Sequence, residues 1–231
     1  MKRYAPRALS IRWTFAYLLA FVAAGSPVSA EPAADEGAGT PADENSAEFR
    51  IIVEAEVPEG FPTPGPAGEV HLKQYPAYRA ARADGRGAFR VLFNHIQRHD
   101  IAMTTPVEMT LDTNADGEPL PRPTDMAFLY VDPELGDSGA DPADGRVEVL
   151  DLPARSYLSY GFFGESEPTK VARALEKINA HLADHDTLSA DGPARLMGYN
   201  SPFVPRALRY HEVQLPVKHH TDRETDTEAG G

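Results

Sequence analysis

Cysteine is absent from the 231 residues. That excludes disulfides, a thiolate zinc centre, a cysteine nucleophile and a lipid-modified cysteine near the N-terminus. Stability must therefore come from a core, and roughly 170 residues can bury one. Positive charge is scarce: 22 Lys and Arg stand against 35 Asp and Glu, a net charge of −13. Such a surface repels polyanions, so no nucleic acid partner is expected. Long hydrophobic runs are missing too. The one apolar stretch, Trp13 to Ala24, is too short for a comfortable membrane span. There is no Gly-x-Ser-x-Gly elbow or other nucleophile signature, and nothing in the residues argues for catalysis.

What surrounds that apolar stretch is informative. Lys2, Arg3, Arg7 and Arg12 come before or at its start, and Val28-Ser29-Ala30 follows. A basic start, a short apolar centre and a small-x-small end describe a secretory signal peptide over residues 1–30, cleaved near Ala30. The expected location is periplasmic or secreted, with membrane contact only through an uncleaved signal segment. Removing 1–30 takes away four cations and no acid, which lowers the net charge to −17. Residues 31–48, rich in Ala, Pro, Gly and acids, read as a disordered linker. Residues 218–231 read as a loose polar tail. That leaves one domain over 49–217.

Within it the order of elements repeats. Strands are expected at Phe49–Val57, Val70–Ala81, Ile101–Leu111 and Met126–Val131, with a helix near Gly87–Gln97. After an acidic Gly/Pro loop come strands at Arg146–Leu150 and Arg155–Phe163, a helix from about Pro168 to Asp184, and strands at Arg195–Tyr199 and Leu208–Val217. Val171, Ala174, Leu175, Ile178 and Leu182 form the apolar stripe of the second helix, with Ser166 as its cap. Phe89, Leu92, Phe93 and Ile96 do the same in the first. Two strand–strand–helix–strand–strand repeats predict an α+β fold, a curved antiparallel sheet or barrel carrying two helices. Pro106 marks an edge, bulge or break in its strand. Asp112-Thr113-Asn114-Ala115-Asp116-Gly117 matches half an EF-hand loop, but the twelfth position is Pro123, so a hairpin turn is the reading.

Several stretches resemble the SOUL/haem-binding protein family. They are Ala88 to Ile96 followed by Ile101-Ala102-Met103-Thr104-Thr105-Pro106-Val107, with Lys73-Gln74-Tyr75-Pro76-Ala77-Tyr78 upstream. Gly198-Tyr199-Asn200-Ser201-Pro202-Phe203 and Arg209-Tyr210-His211-Glu212-Val213 lie downstream. The resemblance covers roughly 49–217. It implies a distorted eight-stranded antiparallel barrel flanked by two helices, and non-covalent binding of haem or another tetrapyrrole. His211 stands where the family pattern suggests an aromatic.

Haem needs an apolar slot and often an axial ligand, and without cysteine the candidates are His, Met or Tyr. His95 and His99, one turn apart on the first helix, are candidates for contact with iron. The plainer account of each is a surface imidazole. Met103 and Met109 share strand parity and are candidates for lining a pocket, as are Phe89 and Phe93; core packing is the competing account. His181 and His185 resemble half a zinc site but also suit a helix C-terminus, and no metal site is expected. Glu108 and Glu212 lie in otherwise apolar strands. The outward face of each strand is the expectation, whereas an inward acid would suit a cationic or hydroxylated ligand. The leading expectation is an exported, non-enzymatic haem or tetrapyrrole binder. The alternatives are a binder of another apolar or cationic small molecule, a hydrolase or tetrapyrrole-modifying enzyme, and a purely interacting envelope domain.

Overall fold

The computed structural model describes residues 49–219, which fall in a single unit. The expected signal peptide (1–30), the expected linker (31–48) and residues 220–231 of the expected tail lie outside the described residues. The elements in order are β1 (Val70–Tyr75), β2 (Tyr78–Asp84), α1 (Ala88–Arg98), β3 (Val107–Thr113), β4 (Pro119–Pro123), β5 (Asp125–Leu129) and β6 (Gly139–Ala140). Then follow β7 (Val147–Leu152), β8 (Arg155–Phe163), α2 (Pro168–Ala183), β9 (Leu188–Ala190), β10 (Arg195–Gly198) and β11 (Tyr210–His219).

All named strands pair antiparallel in one sheet of order β1-β8-β11-β10-β3-β5-β2-β7-β6, with β4 on β3 and β9 on β11. The fold is α+β with two helices. The path does not close into a barrel, because the outer edge of β7 is taken by the two-residue β6 rather than by β1. Three local differences have clear causes. Pro76 splits the expected 70–81 strand into β1 and β2, since proline brings no ladder donor. Pro106 ends the irregular segment 101–106, and β3 starts only at Val107. Residues 49–57 form no strand. They are held by single bonds, Asn200 Nδ2 to the Ile52 carbonyl (2.7 Å) and Thr105 N–H to the Glu56 carbonyl (2.8 Å).

Alternation along the strands gives the sheet two faces. One carries the helices. Ala81, Ala83, Phe128, Val147 and Val149 pack under α1 with Val91, Leu92 and Ile96. Leu111, Leu158, Leu196, Val213 and Leu215 pack under α2 with Val171, Ala174, Leu175 and Ile178. The cap of α2 is Glu167 rather than Ser166, with Pro168 in the first turn. The other face carries Tyr75, Tyr157, Met197, Tyr199 and Tyr210, with Phe49, Ile51 and Phe61 against it. Both faces are thus buried, which decides where the polar strand residues lie.

Candidate functional site

Glu108 and Glu212 sit on the tyrosine face, 5% and 0% exposed. The outward placement expected for them is wrong, because the side facing away from the helices is covered by aromatic side chains instead of water. Each acid brings its own cation. Glu212 Oε1 accepts from Lys73 Nζ (2.7 Å), Gly65 N–H (2.8 Å) and the Tyr210 hydroxyl (3.1 Å). Its Oε2 accepts from Gln214 Nε2 (2.8 Å), Ser159 Oγ (3.0 Å) and the Tyr199 hydroxyl (3.2 Å). Glu108 Oε2 accepts from the Tyr78 hydroxyl (2.8 Å) and Arg195 Nη1 (2.9 Å). The Arg195 guanidinium lies 3.7 Å from the Tyr157 ring centre and 4.6 Å from that of Tyr75, and its Nε donates to Gln214. Burial, reinforced by the Glu212 charge, pushes Tyr75 up to about 12 and raises Tyr199 and Tyr210 also. These tyrosines remain protonated donors at neutral pH. Arg195 Nη2 alone among its buried nitrogens lacks a partner; with both carboxylates paired to cations, the network positions strands and presents no free negative charge to a cationic ligand.

A second polar cluster closes the C-terminal end of α1. His95 is buried, with Nδ1 2.7 Å from Asp141 Oδ2 and Nε2 2.7 Å from the Tyr130 hydroxyl. Arg98 Nη2 donates to the same Asp141 oxygen (2.6 Å), and His99 Nε2 lies 3.7 Å from it. Burial alone would raise the Asp141 pKa, but His95, the Ala143 N–H and Arg98 together hold it well below the usual carboxylate range. His95 Nδ1 therefore donates to an ionised carboxylate, leaving Nε2 to share the bond with Tyr130. His95 is neither a surface imidazole nor a side chain with a free nitrogen.

The six candidate contact residues do not form one group. Phe89 and Phe93 lie on one flank of α1, 47% and 38% exposed, with their rings nearly parallel at 9° and 6.1 Å apart and Phe89 edge-on against the buried Phe128 at 5.2 Å. Met103, half-buried, packs against the cluster under α1. Met109 packs instead against the cluster under α2, because Met103 precedes the strand and shared parity does not apply. On a helix turning about 100° per residue, His95 lies about 200° and His99 about 240° round from Phe93. From the middle of the phenylalanine pair, the short way round is about 140° to His95 and about 100° to His99, so His95 faces away and His99 lies to the side.

A family model described as SOUL heme-binding protein matches residues 74–216, more than half of the chain. The chain belongs to the SOUL heme-binding protein family. No curated protein matches it. Among solved structures it is similar to the EcmrR C-terminal domain, at 13% identity over 65% of this chain and 97% of that one, TM-score 0.48. It is likewise similar to a hydrolase from Listeria innocua, at 12% identity over 67% and 94%, TM-score 0.47. SAV2435 bound to tetraphenylphosphonium is another, at 16% identity over 65% and 94%, TM-score 0.36.

Within this SOUL chain, Lys73, Arg195, Gln214 and Asp141 are polar residues that sequence reasoning passed over. Period two supplied a signal for two of them: Arg195 and Gln214 share parity with Met197 and Glu212 along their strands. Asp141 had none, lying in an acidic Gly/Pro loop far from α1 in sequence.

Proposed function

We propose that the protein is an exported haem binder that captures the tetrapyrrole non-covalently on the exposed flank of α1. The observation that carries this is the exposed, parallel Phe89–Phe93 pair beside Arg86 and Arg90. Phe89 reaches the buried Phe128 ring edge-on, yet both stacked rings keep over a third of their surface exposed, and that adjoining apolar area marks a contact surface. Among the described residues neither arginine is in an ion pair, and α1 carries no acid in its sequence. In a chain with net charge −13, this is a place where an apolar plane with carboxylate side groups meets both ring faces and cations. Phe89 and Phe93 would hold the macrocycle and Arg86 and Arg90 its propionates. Haem held there would supply the chemistry of its iron, and His95, buried and bonded at both ring nitrogens, would take no part in holding it. The N-terminal thirty residues direct export and are removed near Ala30.

A hemin titration followed at the Soret band tests this, with Phe89→Ser/Phe93→Ser, Arg86→Glu/Arg90→Glu and His99→Ala beside the parent. The parent gives a saturable, red-shifted band near one equivalent, and His99→Ala retains it. Losing two buried phenyl contacts, at about 1.5–3 kcal/mol each, weakens binding by roughly a hundredfold or more. Broad, unsaturable absorbance in the parent, or a phenylalanine variant that binds like the parent, defeats the reading. N-terminal sequencing of secreted material beginning at Glu31 supports export.

A further inference from the structure

We infer that His95, His99 and Asp141 form a mononuclear binding site for a divalent transition ion, zinc foremost, separate from the haem face. Each residue offers one ligand atom, and the three atoms lie within 4.8 Å of one another. His95 lies in the last turn of α1 and His99, four residues on, is its C-cap, and their ring centres are 4.6 Å apart. Asp141 comes from the loop after β6, which makes the set two imidazoles from one helix and a carboxylate from a remote segment. That donor set suits zinc with a fourth position for water. The open side exists, because His99 is exposed while His95 and Asp141 are buried.

The surrounding bonds orient the ligands. Asp141 Oδ1 accepts from the Ala143 N–H at 2.8 Å, and the far nitrogen of His95 is held by Tyr130. Zinc at Nδ1 displaces its proton to solvent. Nε2 takes up a proton in exchange and donates to the Tyr130 oxygen, so the imidazole stays neutral. Arg98 is the competitor. It supplies the positive charge on Asp141 Oδ2 that the metal would bring, and its side chain, 35% exposed, has water to move into. Metal and guanidinium thus exchange on one oxygen.

Cobalt(II), added to the full chain and followed by its visible ligand-field bands with zinc in competition, tests the site. The comparison uses His99→Ala, Arg98→Gln, His185→Ala and His219→Ala/His220→Ala. His185 needs a control because its ring stacks on His181 at 4.1 Å. His99 is exposed, so its removal probes ligation rather than folding. The expected result is one equivalent in the parent. His99→Ala weakens it by at least the tenfold that outer-shell losses alone produce, Arg98→Gln tightens it, and the other two variants leave it unchanged. No band in the parent overturns the inference. So does indifference to His99→Ala, loss on changing His185 or the tail pair, or an Arg98→Gln variant that binds no tighter.

Discussion

Replacing Arg195 by Met removes the cation beside Glu108 while keeping an unbranched side chain of similar length between Tyr75 and Tyr157. The guanidinium is 3% exposed, and with it go the 2.9 Å contact to Glu108, the bonds to Gln214 and Tyr78, and two ring contacts. Glu108 Oε2 then retains the Tyr78 hydroxyl as its donor. Breaking a buried pair on one side costs about 3–5 kcal/mol, because the partner's charge stays behind without compensation. With about 2–4 °C per kcal/mol for a domain of this size, Tm falls by roughly 6–20 °C. Lys73→Met should cost less than Arg195→Met, since Glu212 keeps five other donors. Glu108→Gln in the Arg195→Met background removes the stranded charge and recovers a substantial part of the loss. Urea titrations of the parent, both single variants and the double variant close the cycle. A loss under about 1 kcal/mol for Arg195→Met, or strict additivity with Glu108→Gln, refutes the reasoning that these charges are buried and coupled.

Three further outcomes follow from other side chains. Burial, helped by the charges of Arg209 and Lys170 and opposed by the Gly164 carbonyl and Glu165, lowers His211 from about 6.5 to about 4. The unfolded chain then binds the proton first, so stability drops as pH falls from about 6.5 to about 4, by at most about 3 kcal/mol. His211→Phe abolishes that loss and also removes an unpartnered buried Nδ1, so its advantage over the parent grows between pH 7 and pH 4.5 in denaturant titrations. Asp141, held below its ordinary value, contributes stability above about pH 4 that fades as pH falls further. The gap between the parent and Asp141→Asn accordingly narrows from pH 7 to pH 3, and a constant gap contradicts the assignment. A Cβ on Gly161 would press on the Tyr210 hydroxyl, with the Pro66 carbonyl 3.1 Å away. Gly161→Ala should cost about 1–3 kcal/mol, and adding Tyr210→Phe should restore part of it in thermal melts.

Helix α2 was legible because its apolar stripe repeats at 3.6 residues and its first turn holds Pro168; both ends fall within about a residue of expectation. β8 and β11 were legible from dense β-branched and aromatic runs, whereas the three-residue β9 was not expected at all. β4 was not, since Pro-Leu-Pro-Arg-Pro reads as anti-strand and pairs only with an edge of β3 through a shifted register. Residues 49–57 were misread in the opposite direction. Their composition suits a strand, but the Asn200 amide bonds the Ile52 carbonyl and Ser201 holds the Glu54 carboxylate through its N–H and hydroxyl, with no ladder formed. The candidate site was half legible. Phe89 and Phe93 could be named as a pair, though not as exposed. Glu108 and Glu212 were placed on the wrong side because alternation specifies two faces without saying that both are buried. His95 needed Asp141, a partner 46 positions away, before its role could be read.

The strand order also sets a timetable. Among the described strands β11 is made last, yet it lies between β8 and β10 and also pairs β9. Strand β1, made first, pairs only with β8, and β10 reaches back to β3. Until Tyr210–His219 emerges, the β1–β8 pair and the β10–β3 group have no strand between them, and Lys73 has no carboxylate at Glu212 to meet. Completion of this sheet is thus deferred until β11 has emerged, with the slow kinetics of pairings distant in sequence. A chain interrupted before residue 210 would carry two unjoined sheet fragments with open edges, a product fit for aggregation or proteolysis rather than partial function.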